Sequence, residues 1–166
     1  MVTIRPATPD DSQGLVELRT ALQRHDEASN PRIWRNTEEG NRNLEADVDK
    51  MLSDEDGLVL VVEDGGDLVG FAYGRVVSRR DYLPETVGFI NLIYVREGHR
   101  RKGTGIRLVR ELCSFFRARD VDEVNLNHIK GNTEGESFWT KLGFEVVRVT
   151  ANTPLEALEK RLAELQ

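Results

Sequence analysis

The chain has 166 residues, of which 39% are hydrophobic and 31% charged, with a formal net charge of −6. That is the length of one domain, and a chain of this size hides roughly 68–70% of its unfolded surface without needing disulfide staples. The single cysteine, Cys113, excludes an internal disulfide and a cysteine-based zinc cluster. No apolar run approaches the ~18–20 residues that cross a bilayer, and the first residues lack the layout of a secretory leader. The expectation is a single cytoplasmic domain over residues 1–166 that works away from membranes. An acidic balance also argues against nucleic acid as its partner.

Residues 2–6 suit a first strand. Pro9 and the Asp10–Asp11 pair then start a helix at about 10–25, with Leu15, Leu18 and Leu22 at helical spacing. Residues 28–35 read as a loop, and a second helix over about 37–52 places Leu44, Val48 and Leu52 on one face, with Gly40 weakening its start. The period then changes. Residues 58–63 (LVLVVE), the turn DGGD and residues 68–77 form a hairpin. A polar loop at 78–84 leads to a buried-looking strand at 87–95. The basic turn 96–105 then opens a helix to about 117, with Ile106, Leu108, Val109, Leu112 and Phe116 inward. A strand at 121–129, a helix at 133–142 and a last strand at 144–149 follow.

The tail, from about residue 150, has its own start signal. Thr153 can cap, Pro154 suits the first helical position, and Glu156 completes a capping-box spacing. Leu155, Leu158, Leu162 and Leu165 make this an amphipathic helix that packs either on its own domain or on a partner subunit, which would give a homodimer. Together the elements describe an α/β (α+β) fold with a mixed, largely antiparallel sheet and helices on both faces.

The stretch VREGHRRKGTG at 95–105 carries the chemistry. Gly103 and Gly105 let backbone approach a ligand closely. The open N–H groups of the following helix and its dipole favour an anion, and Arg96, Arg100, Arg101 and Lys102 add cations. These features describe a pyrophosphate-binding turn. The dinucleotide pattern G-x-G-x-x-G fails because position 108 is Leu, and the phosphate-loop pattern G-x-x-x-x-G-K-[ST] is absent. A solvated basic loop remains the competing reading from these residues alone.

A second motif, NTEGESFWTKLGF at 132–144, follows the next strand. With both in view the sequence resembles the GNAT superfamily of N-acetyltransferases. Arg100, Gly103 and Gly105 match its phosphate turn. Asn132, Gly135, Phe138, Trp139, Lys141, Gly143 and Phe144 match its later motif, and the element order agrees from Val2 through Val149. The resemblance implies that the strand at 87–95 bends at a bulge and splays from the strand at 121–129, with the pantetheine arm of acetyl-CoA, the cosubstrate, in the cleft; no His/Asp/Glu spacing suggests a metal. Ile93, Tyr94 and Val95 would offer backbone groups to that arm. Arg100 and the run Arg101, Lys102, Gly103, Thr104, Gly105 and Ile106 would hold the pyrophosphate, and Asn132 would bind the arm. The implied function is acetyl transfer to a primary amine of a small molecule or protein, by direct attack in a ternary complex. A binding module of the same shape that holds coenzyme A without efficient turnover is the alternative.

The catalytic groups follow the family less closely. Many members place a tyrosine acid where this chain has Trp139, and an indole N–H donates a hydrogen bond but yields no proton. Tyr94 and Tyr82 are the candidate substitutes for that acid. Members also often carry a carboxylate on the strand at 87–95, which here has Asn91 and no acid. Asn127 and His128 sit where a base is sometimes found. An imidazole there could take the amine's proton directly or through water, and a water chain without a dedicated base is the default. Arg79, Arg80 and Asp81 read as substrate contacts or as a solvated loop, and His25-Asp26-Glu27 with Trp34 as an acceptor pocket or a charged helix end. Cys113 is expected to pack inside its helix.

Overall fold

The computed structural model describes residues 1–165. Its chain divides into two compact units, the first from Met1 to Asn132 and the second from Thr133 onward. In the first unit the elements are β1 (Thr3–Pro6), α1 (Ser12–Ser29), α2 (Pro31–Trp34), α3 (Glu38–Arg42), α4 (Leu44–Leu52), β2 (Gly57–Asp64), β3 (Asp67–Ser78), β4 (Thr86–Val95), α5 (Thr104–Arg117) and β5 (Val124–Leu126). The second unit holds α6 (Thr133–Lys141) and α7 (Leu155–Glu164).

The five strands lie in the order β1-β2-β3-β4-β5, antiparallel except for the parallel pair β4–β5. Apolar side chains alternate across the sheet as a two-residue period demands. One face carries Val59, Val61 and Phe71, which pack with Leu15, Leu18 and Leu22 of α1 and Val48 and Met51 of α4. The opposite face receives α5, whose Leu108, Leu112 and Phe116 are buried. There the sheet is glycine-lined for a steric reason: a Cβ on Gly88 would lie 2.8 Å from the Phe116 ring, and one on Gly74 3.0 Å from it. The aromatic ring needs those two hydrogens.

One ion-pair cluster fixes the entry to α1. Asp11 accepts from Arg5 Nη1 at 2.8 Å and Nη2 at 2.9 Å, and from the Thr8 backbone N–H at 2.7 Å. Arg5 also reaches Glu63 across the β1–β2 ladder at 3.0 Å. This ties the helix start to the sheet.

Several elements differ from the sequence expectation. The second helix is broken at Asn43 into α3 and α4, and the loop before it contains the short helix α2, begun by Pro31. The expected strand at 121–129 pairs only over Val124–Leu126, because β4 diverges from it beyond that point. The expected last strand at 144–149 is absent from the sheet: those residues run without a ladder partner, and Val146, Val147 and Val149 are exposed. Alternating valines favour a strand only where a neighbour supplies the hydrogen bonds. The tail helix forms, but it starts at Leu155 behind Pro154 with no side-chain cap, and its leucines are exposed. Ile106 and Cys113 of α5 are also exposed rather than inward, since they fall off the stripe formed by Leu108, Leu112 and Phe116.

Two outcomes follow for stability. Gly88→Ala should cost about 1–3 kcal/mol by overpacking Phe116, while Gly98→Ala, with open space at its Cβ, should be near neutral, both read from urea midpoints. The hydrogen bonds from Arg5 hold the Asp11 carboxyl at about 2, below its ordinary value. A depressed folded value means that this pair stabilises the fold above about pH 4 and stops doing so as pH falls toward 2. Arg5→Gln should move the Asp11 titration, followed by NMR, back up toward about 3.9.

Candidate active site

The site begins with a register change. Opposite β3, Tyr73 faces Leu92 while Gly74 faces Ile90, so Asn91 is the extra residue of a β-bulge. A one-residue slip flips every later side chain to the other face. Ile90 therefore lies on the α5 side of the sheet, whereas Leu92 and Tyr94 pack toward α1. On its other edge β4 pairs with β5 only at Gly88–Val124, Phe89–Asn125 and Ile90–Leu126. Bulge and loss of pairing coincide, and the two strands fork there.

Beyond the fork, β4 presents backbone to the opening. The Arg96 N–H donates to the Val69 carbonyl at 2.8 Å. Antiparallel bonding alternates, so Tyr94 and Leu92 also bond toward β3, while the N–H and C=O groups of Ile93 and Val95 turn to the side β5 has left. Of the three residues proposed from sequence to line a cosubstrate, Ile93 and Val95 thus direct main-chain groups into the fork. The Tyr94 main chain faces Phe71. The Val95 carbonyl already accepts from Arg100 Nε at 2.8 Å, and the Arg100 guanidinium stands 5.5 Å from the Tyr94 ring centroid.

The turn after β4 is built from unusual backbone. A 3-10 turn at Glu97–His99 is followed by Arg101 at φ 60° and Gly103 at φ 80°, both left-handed. Helix α5 then starts at Thr104, which is buried, with no acid in its first turn. The Gly103, Thr104, Gly105 and Ile106 N–H groups lack carbonyl partners within the helix by construction. Left-handed residues flanking a helix start converge such N–H groups into an anion-binding concavity. A Cβ at Gly103 would meet no atom within 4 Å, so the space in front of the turn is open.

The loop cations divide their work. Lys102 Nζ donates to the Gly98 carbonyl at 2.8 Å and Arg96 Nε to the Leu68 carbonyl at 3.2 Å, which brace the turn. His99 Nε2 lies 3.2 Å from Asp64, whose other oxygen meets the chain's N-terminal ammonium at 3.3 Å. Arg101 is exposed. Beside the turn, a groove of about 690 Å³ is lined by Arg5, Asp11, Glu17, Glu63, Arg96 and His99 among others. Within it Arg5 pairs with Asp11 and Glu63, and Arg96 with Glu17.

The remaining candidates are spread over both units. Asn127 and His128 are exposed just past the end of β5, and the Asn132 N–H donates to the Ile129 carbonyl at 3.2 Å. A Cβ on Gly131 would lie 3.5 Å from the Ser29 carbonyl, which sets the exit from β5 against the last turn of α1. On α1, burial pushes the Asp26 carboxyl up, opposed by His25 and Arg19. Burial also lowers Arg19, whose Nε is enclosed without a hydrogen-bond partner among the described residues. Tyr82 is exposed in the β3–β4 loop with Arg79 over its ring at 5.4 Å. In the second unit Trp139 is buried, edge-on to Phe138 at 4.8 Å and to Phe144 at 5.3 Å. Beyond Lys141, helix α6 is stopped by Gly143, φ 86°, with the Phe144 N–H returning to the Trp139 carbonyl at 3.1 Å. That stop explains the Lys-Leu-Gly-Phe ending. Among the described residues no three His, Cys, Asp or Glu side chains could hold a metal ion, and no helix is long and apolar enough to cross a membrane.

The model of the acetyltransferase (GNAT) family matches residues 19–144. The chain belongs to the GNAT acetyltransferase family. No curated protein matches it. Among solved structures, the tetramutant of the BH1408 protein from Bacillus halodurans is 23% identical, with a TM-score of 0.80 over 92% of this chain and 99% of that one. An aminoglycoside 6'-N-acetyltransferase from Acinetobacter haemolyticus is 18% identical, with a TM-score of 0.71 over 92% and 97%. A predicted acetyltransferase from Clostridium acetobutylicum, solved with acetyl-CoA, is 17% identical, with a TM-score of 0.75 over 95% and 98%. These likenesses establish the GNAT fold: a mixed sheet with a parallel, splayed β4–β5 pair, helices, and a C-terminal helix. The resemblance implied a bulge in this strand, and the register against β3 places it at Asn91, which nothing within the residues of β4 marks.

Proposed function

We propose that the chain is an N-acetyltransferase that passes an acetyl group from acetyl-CoA to a primary amine, by direct attack in a ternary complex. The observation that carries this reading is the fork, with the open turn at its end. The Ile93 C=O and the Val95 N–H suit the amides of a pantetheine arm. The Arg101–Ile106 backbone, with Arg100 and Lys102, suits a diphosphate, and nothing fills the space at Gly103. Asn132 adds a polar contact to the arm, and the two compact units serve one acetyltransferase domain.

Bound acetyl-CoA supplies an activated thioester. The chain's own part is to place it and to stabilise charge. The Ile93 N–H is the donor for the oxyanion, a role worth ~2.7–4 kcal/mol per donor. Asn127 and His128 stand where they can order the water that accepts the amine's proton. The indole at 139, where a phenol is usual in the family, yields no proton, so the thiolate leaves unprotonated. Two copies associate through α7, whose Leu155, Leu158 and Leu162 are exposed. The second reading, a coenzyme-holding module with little turnover, is favoured by the indole at 139 in place of a phenol.

Calorimetry with acetyl-CoA should show binding by the native chain, and Gly103→Glu should weaken it by at least ~100-fold, or about 2.7 kcal/mol. A thermal melt should show that variant folded but destabilised, since its side chain enters open space while the left-handed backbone at φ 80° costs a non-glycine residue about 1–2 kcal/mol. Affinity unchanged in Gly103→Glu would contradict the placement. Thiol release over a panel of amines separates the transferase from the binding module.

A further inference from the structure

Helix α1 runs back along β4. A Cβ at Gly14 would lie 2.8 Å from the Leu68 side chain, and Glu17 pairs with Arg96 at 3.7 Å, so the first turns lie beside the end of that strand. The last turn reaches the exit from β5, where the Ser29 carbonyl faces Gly131. From Glu17 to Asp26 the helix rises about 14 Å, the length of about four strand residues, which sets Asp26 level with Leu92. The β4–β5 ladder has ended two residues earlier, at Ile90. Asp26 also continues the buried stripe of Leu15, Leu18 and Leu22, four residues beyond the last of them, and Leu92 and Tyr94 pack against that stripe. Its carboxylate is partly buried and forms no hydrogen bond or ion pair with a described residue.

The groups around it decide what it can do. On α1 these are His25 and Arg19, which oppose the rise that burial gives the Asp26 carboxyl. Arg19 is itself shared with Asp47 of α4. On β3, Tyr73 is engaged with Asp54, and on β4, Tyr94 lies beside Arg100. Arg32 belongs to α2, and the exit from β5 brings His128 and Lys130. Glu27 is the other unpartnered carboxylate of this turn, but it falls off the buried stripe. A carboxylate raised by burial is suited to taking a proton near neutral pH, and the same desolvation lowers an ammonium brought against it. Gln23 Nε2 donates to the Trp34 carbonyl at 2.7 Å, which folds α2 against this end of α1 and leaves an exposed indole to meet an alkyl stem.

We propose that Asp26 is a catalytic base of this site, which receives the ammonium of a primary alkylamine acceptor and takes its proton. This rests on the acetyl-transfer reading. Such an acceptor is cationic at neutral pH, with a conjugate acid like that of lysine at about 10.4, so a site without a counter-charge would meet it almost wholly in its unreactive form. With the first proton on the Asp26 carboxylate, the nitrogen's lone pair forms the C–N bond to the acetyl carbon. The C–S bond breaks with its electrons on sulfur, and the second nitrogen proton leaves through the water at Asn127 and His128. Asp26 then returns its proton to solvent. Arg19 is a positioning residue, because its charge favours the ionised carboxylate.

The test follows thiol release from acetyl-CoA by the full chain with n-butylamine as acceptor, over about pH 6 to 9. In the native chain kcat/KM for the amine should rise through the Asp26 titration and then level off, since ionised Asp26 meets the ammonium. Asp26→Asn should lower it at least ~100-fold near neutral pH, with acetyl-CoA affinity in calorimetry unchanged. The residual rate of that variant should follow the neutral fraction of the amine, climbing about tenfold per pH unit. Asp26→Ala should regain activity with added formate. Arg19→Gln should move the native limb to higher pH, because a cation that favours the carboxylate is lost. Glu27→Gln should stay within about threefold of the native chain. A native rate that itself climbs tenfold per pH unit, an Asp26→Asn loss no larger than that of Glu27→Gln, or no thiol release by protein that binds acetyl-CoA would each overturn the proposal. Absence of acetyl-CoA binding would overturn the transferase reading as well.

Discussion

The site depends on one interruption of hydrogen bonding: β4 stops pairing with β5 after Ile90 and Leu126. An unpaired strand edge inside a domain is costly unless something satisfies it. Here the edge beyond Asn91 is short, it faces an opening, and one of its acceptors, the Val95 carbonyl, is already met by Arg100. The remaining groups of Ile93 and Val95 are left to a ligand of complementary pattern. The bulge makes this possible by bending β4 and moving Leu92 and Tyr94 onto the α1 face, where they help close the core.

The rest of the first unit holds that interruption in place. Phe116 of α5 presses onto Gly74 and Gly88, fixing the paired part of the strands just before they separate. The same helix begins at Thr104, so the rigid body that grips the sheet also positions the anion-binding N–H groups. On the other face, Arg5, Asp11 and Glu63 anchor the start of α1, while Arg96 and Lys102 spend their charge on carbonyls that shape the turn. Arg101, exposed and left-handed, contributes both backbone direction and free charge.

How much of this was legible follows from where each signal resides. The turn was readable because its chemistry is local: glycines, cations and a helix start fall within eleven residues. The hairpin and the α5 stripe were readable by period, with Ile106 and Cys113 misplaced because a helix's buried face is narrower than its apolar content suggests. The bulge was implied by the family resemblance alone; its position was not readable, since Asn91 sits in an apolar run and only the register of β3 reveals the extra residue. The segment 144–149 erred the other way: its valines carry strand propensity without a ladder partner. Local chemistry was visible in the sequence, and pairing was not.

The most direct test of the central claim is a crystal structure of the chain with coenzyme A. The expected result has the diphosphate on the backbone N–H groups of residues 101–106 and the pantetheine arm bonded to Ile93 and Val95 along the unpaired edge of β4. A coenzyme seated elsewhere, or a β4–β5 ladder continued past Leu126 so that the fork is closed, would contradict it.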